Sequence, residues 1–171
     1  MGELFDKLAN YGNSGIYPFH MPGHKRQKTV DFNPYKIDIT EIEGFDNLHH
    51  AEGVLLEAQK KAEKLYGSEE SHFLINGSTA GILSAVSACA KKTVLIARNC
   101  HKAVYHAALI RNLDVYYVYP EIQEEFMLNG GINPADVERS LEEHPEIEAV
   151  VITSPTYDGI VSDVKRIAEI A

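Results

Sequence analysis

"FLINGSTAGI", residues 73–82, decides how the rest of the chain is read. An apolar, β-prone run ending at Ile75 meets the small polar turn Asn76-Gly77-Ser78-Thr79, and an apolar helical run begins at Ala80. This predicts strand, tight turn and helix, with Ser78 and Thr79 at the helix N-terminus. A tight connection needs one glycine at most. The second glycine, Gly81, and the two hydroxyls imply that something comes close to this backbone.

Outward from that unit, the same alternation repeats. Strand 72–75 and helix 80–90 are followed by strand 93–97 and helix 102–112, then by strand 115–119 and helix 134–143. Strand 149–153 and a last helix from about 163 to 171 complete it. Asn133 reads as the N-cap of the helix at 134, with Pro134 first and Asp136 in the first turn. Ahead of the first strand, "EGVLLEAQKKAEKLYG" places Val54, Leu55, Ala58, Ala62 and Leu65 on one helical face, with Gly67 as the stop. Alternating strands and helices predict an α/β architecture, a mostly parallel sheet covered by helices. The nearly all-apolar "VLIA" and "AVVIT" suit strands buried on both faces.

Residues 1–50 differ. They are rich in Pro, Gly, Asn, Asp and His and show little sustained period, so they read as an N-terminal arm preceding a domain that starts at 51.

At 171 residues, 44% hydrophobic and 24% charged, the chain has the composition of an ordinary soluble domain. No apolar run approaches a membrane span, and "MGELFDKLANYG" lacks the apolar core of a signal peptide. A formal charge of −9, from 16 basic and 25 acidic residues, argues against a nucleic-acid surface. The one basic cluster, His24-Lys25-Arg26-Gln27-Lys28, reads either as a solvated loop or as an anion site. Two cysteines, Cys89 and Cys100, make no disulfide framework and read as free thiols of a cytoplasmic protein.

Ligands of parallel sheets bind beyond the carboxyl ends of the strands. That rule selects Asn76–Thr79, Arg98–Lys102 and Ser154–Gly159. The first opens a helix whose early N–H groups lack internal partners and whose dipole is positive, a phosphate cup in outline; the plainer alternative is Ser78 as a simple N-cap. There is no GK[ST] ending and no GxGxxG, which disfavours nucleoside triphosphates and dinucleotides. In the second loop the imidazole of His101 could stack on an aromatic ligand or shuttle protons, and Cys100 reads as an inert thiol. The Cys-His pair, His106 and His49-His50 match no zinc spacing, so no metal is expected. The third loop, around Pro155 and Gly159, is rich in hydroxyls, and an ordinary βα loop is its plain reading.

Together these stretches resemble the Orn/Lys/Arg decarboxylase family, fold-type I enzymes dependent on pyridoxal 5′-phosphate (PLP). The matching segments are "PFHMPGHK" (18–25), "DITEIEGFDNLHHAEG" (38–53), "FLINGSTAGI" (73–82), "ARNCHKAVYHA" (97–107) and "VITSPTYDG" (151–159), in order across nearly the whole chain. The resemblance implies that residues 51–171 are an incomplete N-terminal portion of the PLP-binding major domain. It implies that Gly77, Ser78 and Thr79 hold the cofactor phosphate and that His101 stacks on its ring. Thr153, Ser154 and Thr156 would pass beside the ring's phenolic oxygen. The segments around His24 and Asp46–His50 would border the site near a subunit interface, with no definite role assigned. The implied reaction is loss of CO₂ from lysine, arginine or ornithine to give a polyamine-type product, in a homodimer or larger homo-oligomer.

The family's pyridine-pairing Asp and imine-forming Lys belong to segments beyond Ala171, and Lys102 occupies a non-imine position. The 171 residues alone are therefore expected to be inactive. The alternatives are another PLP-dependent lyase on the same fold and a truncated homologue serving as a binding or assembly module. MPGHK and DNLHHAEG favour the decarboxylase.

Overall fold

The structure is a computed structural model that describes residues 3–17, 31, 33, 36, 40 and 42–171. The basic cluster at 24–28 and the whole "PFHMPGHK" segment lie outside these residues. The chain divides into two compact units, Met1–Ser68 and Glu69–Ala171.

Among the described residues, the first unit holds two helices. Helix α1 (Glu3–Gly12) occupies a stretch where the sequence shows little sustained period, so residues 1–50 are not wholly irregular. Helix α2 (Val54–Tyr66) ends at Gly67, whose φ of 66° is the left-handed C-cap expected of a glycine stop. Its shielded stripe is rotated from the predicted one. Gln59 is buried and Leu55, Leu56, Ala58, Ala62 and Glu63 are half-buried, whereas Val54 and Leu65 are exposed. Apolar spacing alone gave too much weight to the helix's two end residues and too little to the alkyl part of Gln59.

The second unit is built on β1 (Thr93–Ala97), flanked by β2 (Asp114–Val118) and the two-residue β5 (Val150–Val151), in the order β2-β1-β5. Both pairings are parallel, with Leu95 opposite Tyr116 on one side and Val150 on the other. All five residues of β1 are buried. Because successive side chains point to opposite faces, both faces of the central strand are covered. Fully burying a Val, Leu or Ile side chain contributes about 1.5–3 kcal/mol, so Val94, Leu95 and Ile96 anchor the core. Around them gather Val86 from α3 (Gly77–Cys89), Val104 and Ala107 from α4 (Lys102–Arg111), Val137 from α5 (Pro134–Glu143) and Ile167 from α6 (Val164–Ile170). Helices α3 and α4 pack on each other, and α5 packs on α6 and β2. A small antiparallel hairpin, β3 (Ile122–Gln123) and β4 (Leu128–Asn129), follows β2, where the sequence predicts no strand. The predicted α/β architecture is therefore the observed one.

Two strand readings need correction. Residues 72–75 form no strand: Phe73, Leu74 and Ile75 are exposed. A strand is defined by its neighbour, and among the described residues none pairs with this run. The stretch 149–153 is regular only at Val150–Val151, although Leu95 N–H also donates to Ala149 O at 2.9 Å.

Candidate functional site

Helix α3 begins at Gly77, earlier than predicted, so Ser78 and Thr79 lie in its first turn and are exposed. Asn76, not Ser78, holds the N-cap position, and no side chain caps the helix. The simple N-cap reading of Ser78 is thus incorrect. Gly77 has φ +67°, a conformation that only glycine adopts cheaply, and nothing lies within 4 Å of where its Cβ would be. The helix therefore opens with uncapped N–H groups, two hydroxyls and free space. Gly81 answers a different need. A Cβ there would come 2.5 Å from Leu74 Cδ1, so the group close to this backbone is the protein's own leucine.

His101 is the N-cap of α4. Its φ and ψ (−61°, 146°) are extended, and its Nδ1 accepts the Ala103 N–H at 3.2 Å. A ring nitrogen that accepts from a backbone N–H carries no proton, so in the neutral ring Nε2 bears it. The imidazole is exposed.

A cavity of about 480 Å³ brings His101 together with Thr153. Its walls are Ile82, Ala85, Val86 and Cys89 of α3, Val104 of α4, and the stretch 149–152 leading to Thr153. Gly77, Ser78 and Thr79 are not part of the wall; they stand at the start of the helix that forms one side of it.

The third loop is bound chiefly to itself. Ser154 Oγ accepts from Ser162 N at 3.0 Å, and Thr156 Oγ1 accepts from Ile160 N at 3.1 Å while Thr156 N donates to Ile160 O at 2.8 Å. Neither residue lines the cavity. Cys100 is buried, and that desolvation pushes its thiol up from the ordinary range, as an inert thiol requires. Arg98 lies 5.3 Å from the ring centre of Tyr105 and 5.4 Å from that of Tyr117, and donates to Tyr105 Oη at 3.0 Å. Asn99 Oδ1 is buried without a hydrogen-bond partner, beside a second cavity of about 260 Å³. Among the described residues no three His, Cys, Asp or Glu side chains gather as a metal would require.

Among the described residues of the first unit, the side chain with the most backbone partners carries no local signal. Asp46 accepts from five backbone N–H groups: Asn47 and Glu52 on Oδ1 at 3.0 and 2.9 Å, Gly53 and Leu55 on Oδ2 at 2.7 and 3.0 Å, and Leu56 on Oδ2 at 3.4 Å. It therefore caps α2 from outside the helix. The Glu52 N–H bond, then those from Gly53, Asn47 and Leu55, outweigh desolvation and hold its carboxyl well below the usual carboxylate range. Residue 53, where a capping signal would be sought, is glycine, so spacing rules do not reach Asp46. Within the same segment, His49 N donates to Asn47 Oδ1 at 2.8 Å, and exposed His50 pairs with Glu52 at 3.0 Å.

The family model for the major domain of Orn/Lys/Arg decarboxylases matches residues 3–171. The chain belongs to the Orn/Lys/Arg decarboxylase family. It is 36% identical to the Bacillus subtilis protein YaaO over 96% of its length, and 31% identical to an arginine decarboxylase of Bacillus cereus over 98%. The inducible lysine decarboxylase of Escherichia coli is 30% identical over 92% of the chain. Those alignments cover 36%, 39% and 25% of the relatives, so this decarboxylase-family chain spans about a quarter to two fifths of their length. Among solved structures, the constitutive lysine decarboxylase of E. coli superposes with a TM-score of 0.64 and 26% identity, covering 99% of this chain and 27% of that one. The lysine decarboxylase A of Pseudomonas aeruginosa, at 22% identity and a TM-score of 0.60, shares the fold. No helix among the described residues is long and apolar enough to cross a membrane.

Proposed function

We propose that this chain is the phosphate- and ring-holding portion of a PLP-dependent decarboxylase of basic amino acids (lysine, arginine or ornithine), and that the 171 residues alone do not turn over. The observation that carries this reading is the cavity shared by His101 and Thr153, walled by the helix that Gly77-Ser78-Thr79 opens. These residues suit the cofactor: an uncapped helix N-terminus attracts a phosphate dianion, and the flat imidazole can lie along an aromatic ring.

In this reading the N–H groups and hydroxyls of Ser78 and Thr79 hold the phosphate, and the free space at Gly77 admits it. His101 presents one ring face and an Nε2–H donor. Thr153 contributes its hydroxyl at the cavity wall, while Ser154 and Thr156 keep the loop in shape through their bonds to Ser162 and Ile160. The apolar walls limit water near the ring, which strengthens every polar contact made there. When bound, the cofactor supplies the electron sink that accepts the pair released as the α-carboxylate leaves as CO₂. The polyamine-type products would be cadaverine, agmatine or putrescine. Lys102 is exposed in the first turn of α4, a place unsuited to an imine-forming lysine. We place the whole enzyme in the cytoplasm as a homo-oligomer, in line with the family resemblance.

The test titrates the purified chain with PLP and follows CO₂ release from each of the three amino acids. We expect saturable binding competed by inorganic phosphate, weakened at least about tenfold in a Ser78→Ala/Thr79→Val double variant that loses two charge-assisted bonds, and no turnover above a free-PLP control. No saturable binding would overturn the cofactor assignment; turnover would overturn the inactivity.

A further inference from the structure

Cys100 stands between the two polar groups of the cavity. It directly precedes His101, and its Sγ is 3.5 Å from Thr153 Oγ1, which donates to it, and 3.5 Å from Val151 O, to which it donates. Its own N–H donates to Ala97 O at 3.0 Å, closing the turn that leaves β1. The thiol is thus a bridge from the loop after β1 to the end of β5, between strands whose ladder stops at Ile96 opposite Val151. Beyond that register no backbone pairing holds the two loops side by side.

We propose that Cys100 is a positioning residue: its thiol ties the His101 loop to Thr153 and sets the spacing of the two groups that face the shared cavity. The Ala103 N–H fixes the imidazole from the other side, through Nδ1. Between them, the bridge locates the ring and the cap orients it. The bridge also commits the Thr153 hydroxyl proton to sulfur, so Thr153 Oγ1 meets a ligand as an acceptor. The inference rests on the PLP reading for what the cavity holds, but not for the bridge itself.

The experiment compares wild type, Cys100→Ala, Cys100→Ser and Thr153→Val in the purified chain. The probes are pyridoxine 5′-phosphate, which lacks the aldehyde and so cannot form imines with surface lysines, and inorganic phosphate. Loss of one supporting hydrogen bond should weaken pyridoxine phosphate roughly five- to tenfold in Cys100→Ala and Thr153→Val, with inorganic phosphate binding unchanged. Cys100→Ser, which can still accept and donate, should bind as wild type does. Unchanged pyridoxine phosphate binding in Cys100→Ala overturns the proposal. So does a parallel loss of both probes, which would signify general destabilisation. If wild type binds neither probe, the PLP reading fails by itself, and amide hydrogen exchange decides the bridge. Faster exchange at both Ala103 and Thr153 in Cys100→Ala supports the tether, and unchanged exchange at either one overturns it.

Discussion

His101 shows how one side chain serves the fold and the site together, and substitution can separate the two tasks. As the N-cap of α4 it accepts a backbone N–H, a duty asparagine performs well. As a ring it offers a surface that asparagine lacks. His101→Asn should therefore leave thermal stability close to wild type while abolishing binding of a phosphorylated pyridine. His101→Phe should lose about 1 kcal/mol of stability and keep much of that binding. Calorimetry and titration of both variants check this, and parallel effects in the two would refute a division of labour. The paired glycines make a similar contrast. Gly77→Ala forces an L-residue to φ +67°, at about 1–2 kcal/mol, and puts a methyl beside the uncapped N–H groups, so stability and phosphate affinity should fall together. Gly81→Ala meets only the mobile end of Leu74, so phosphate affinity should be untouched. In the sequence both glycines read as signs that something comes close to this backbone. Only the first stands where an anion would approach, because the second is met by a side chain seven positions earlier.

Among the elements, α2 depends on a carboxylate outside itself. The Asp46 carboxyl is held below its ordinary value in the folded chain by the N–H groups it accepts. A depressed folded value means that the ionised group stabilises the fold above the unfolded carboxylate pKa, about 3.9 for Asp. That stabilisation is lost as pH falls from there toward the folded value. Helix content followed by circular dichroism should decline as pH drops below about 4. In Asp46→Asn the dependence on acid should be shallower, and α2 should exchange its amide hydrogens faster at neutral pH. An identical acid profile in the variant would contradict the capping role. Glu148 follows the same sign: its Oε2 accepts from Lys92, Lys91 and Thr93 N–H groups at 2.6, 2.7 and 3.2 Å and its carboxyl is likewise held low. Helices α4 and α5 and strand β1 could be read from the chain because their signals are local: Asn133 and Pro134 mark one start, and a buried apolar run marks the central strand. The Asp46 cap, the Glu148 cradle and the Cys100 bridge could not. Each joins residues that only folding brings together, the last two across more than fifty positions. The missing strand at 72–75 has the same origin, since an apolar run states a preference and only a neighbour makes it a strand.

At the scale of the whole molecule, charge and exposed apolar surface act in opposition. Phe73, Leu74 and Ile75 lie exposed in sequence, and Ile122, Phe126 and Met127 are exposed on and beside the β3–β4 hairpin. Strand β5 pairs only with β1, so among the described residues one of its edges carries open N–H and C=O groups. Such surfaces favour association. Against them stands a net charge of −9, which repels like chains at a distance but is screened within about 10 Å at 0.1 M salt. Burial of apolar area is not weakened by that screening. Association of the 171-residue chain should therefore tighten as salt is raised, opposite to a complex held by ion pairs. Sedimentation velocity over a concentration series at low and moderate salt measures this directly. A single monomeric species at every concentration and both salts would show that the exposed apolar runs do not associate. Weaker association at higher salt would show that charge pairs, and not these runs, form the contact. Replacing Phe126 and Met127 by Ser, in the β3–β4 hairpin and outside both the cavity wall and the Gly77–Thr79 turn, should reduce association while leaving pyridoxine phosphate binding intact. That outcome would assign the association to the exposed hairpin rather than to the ligand site.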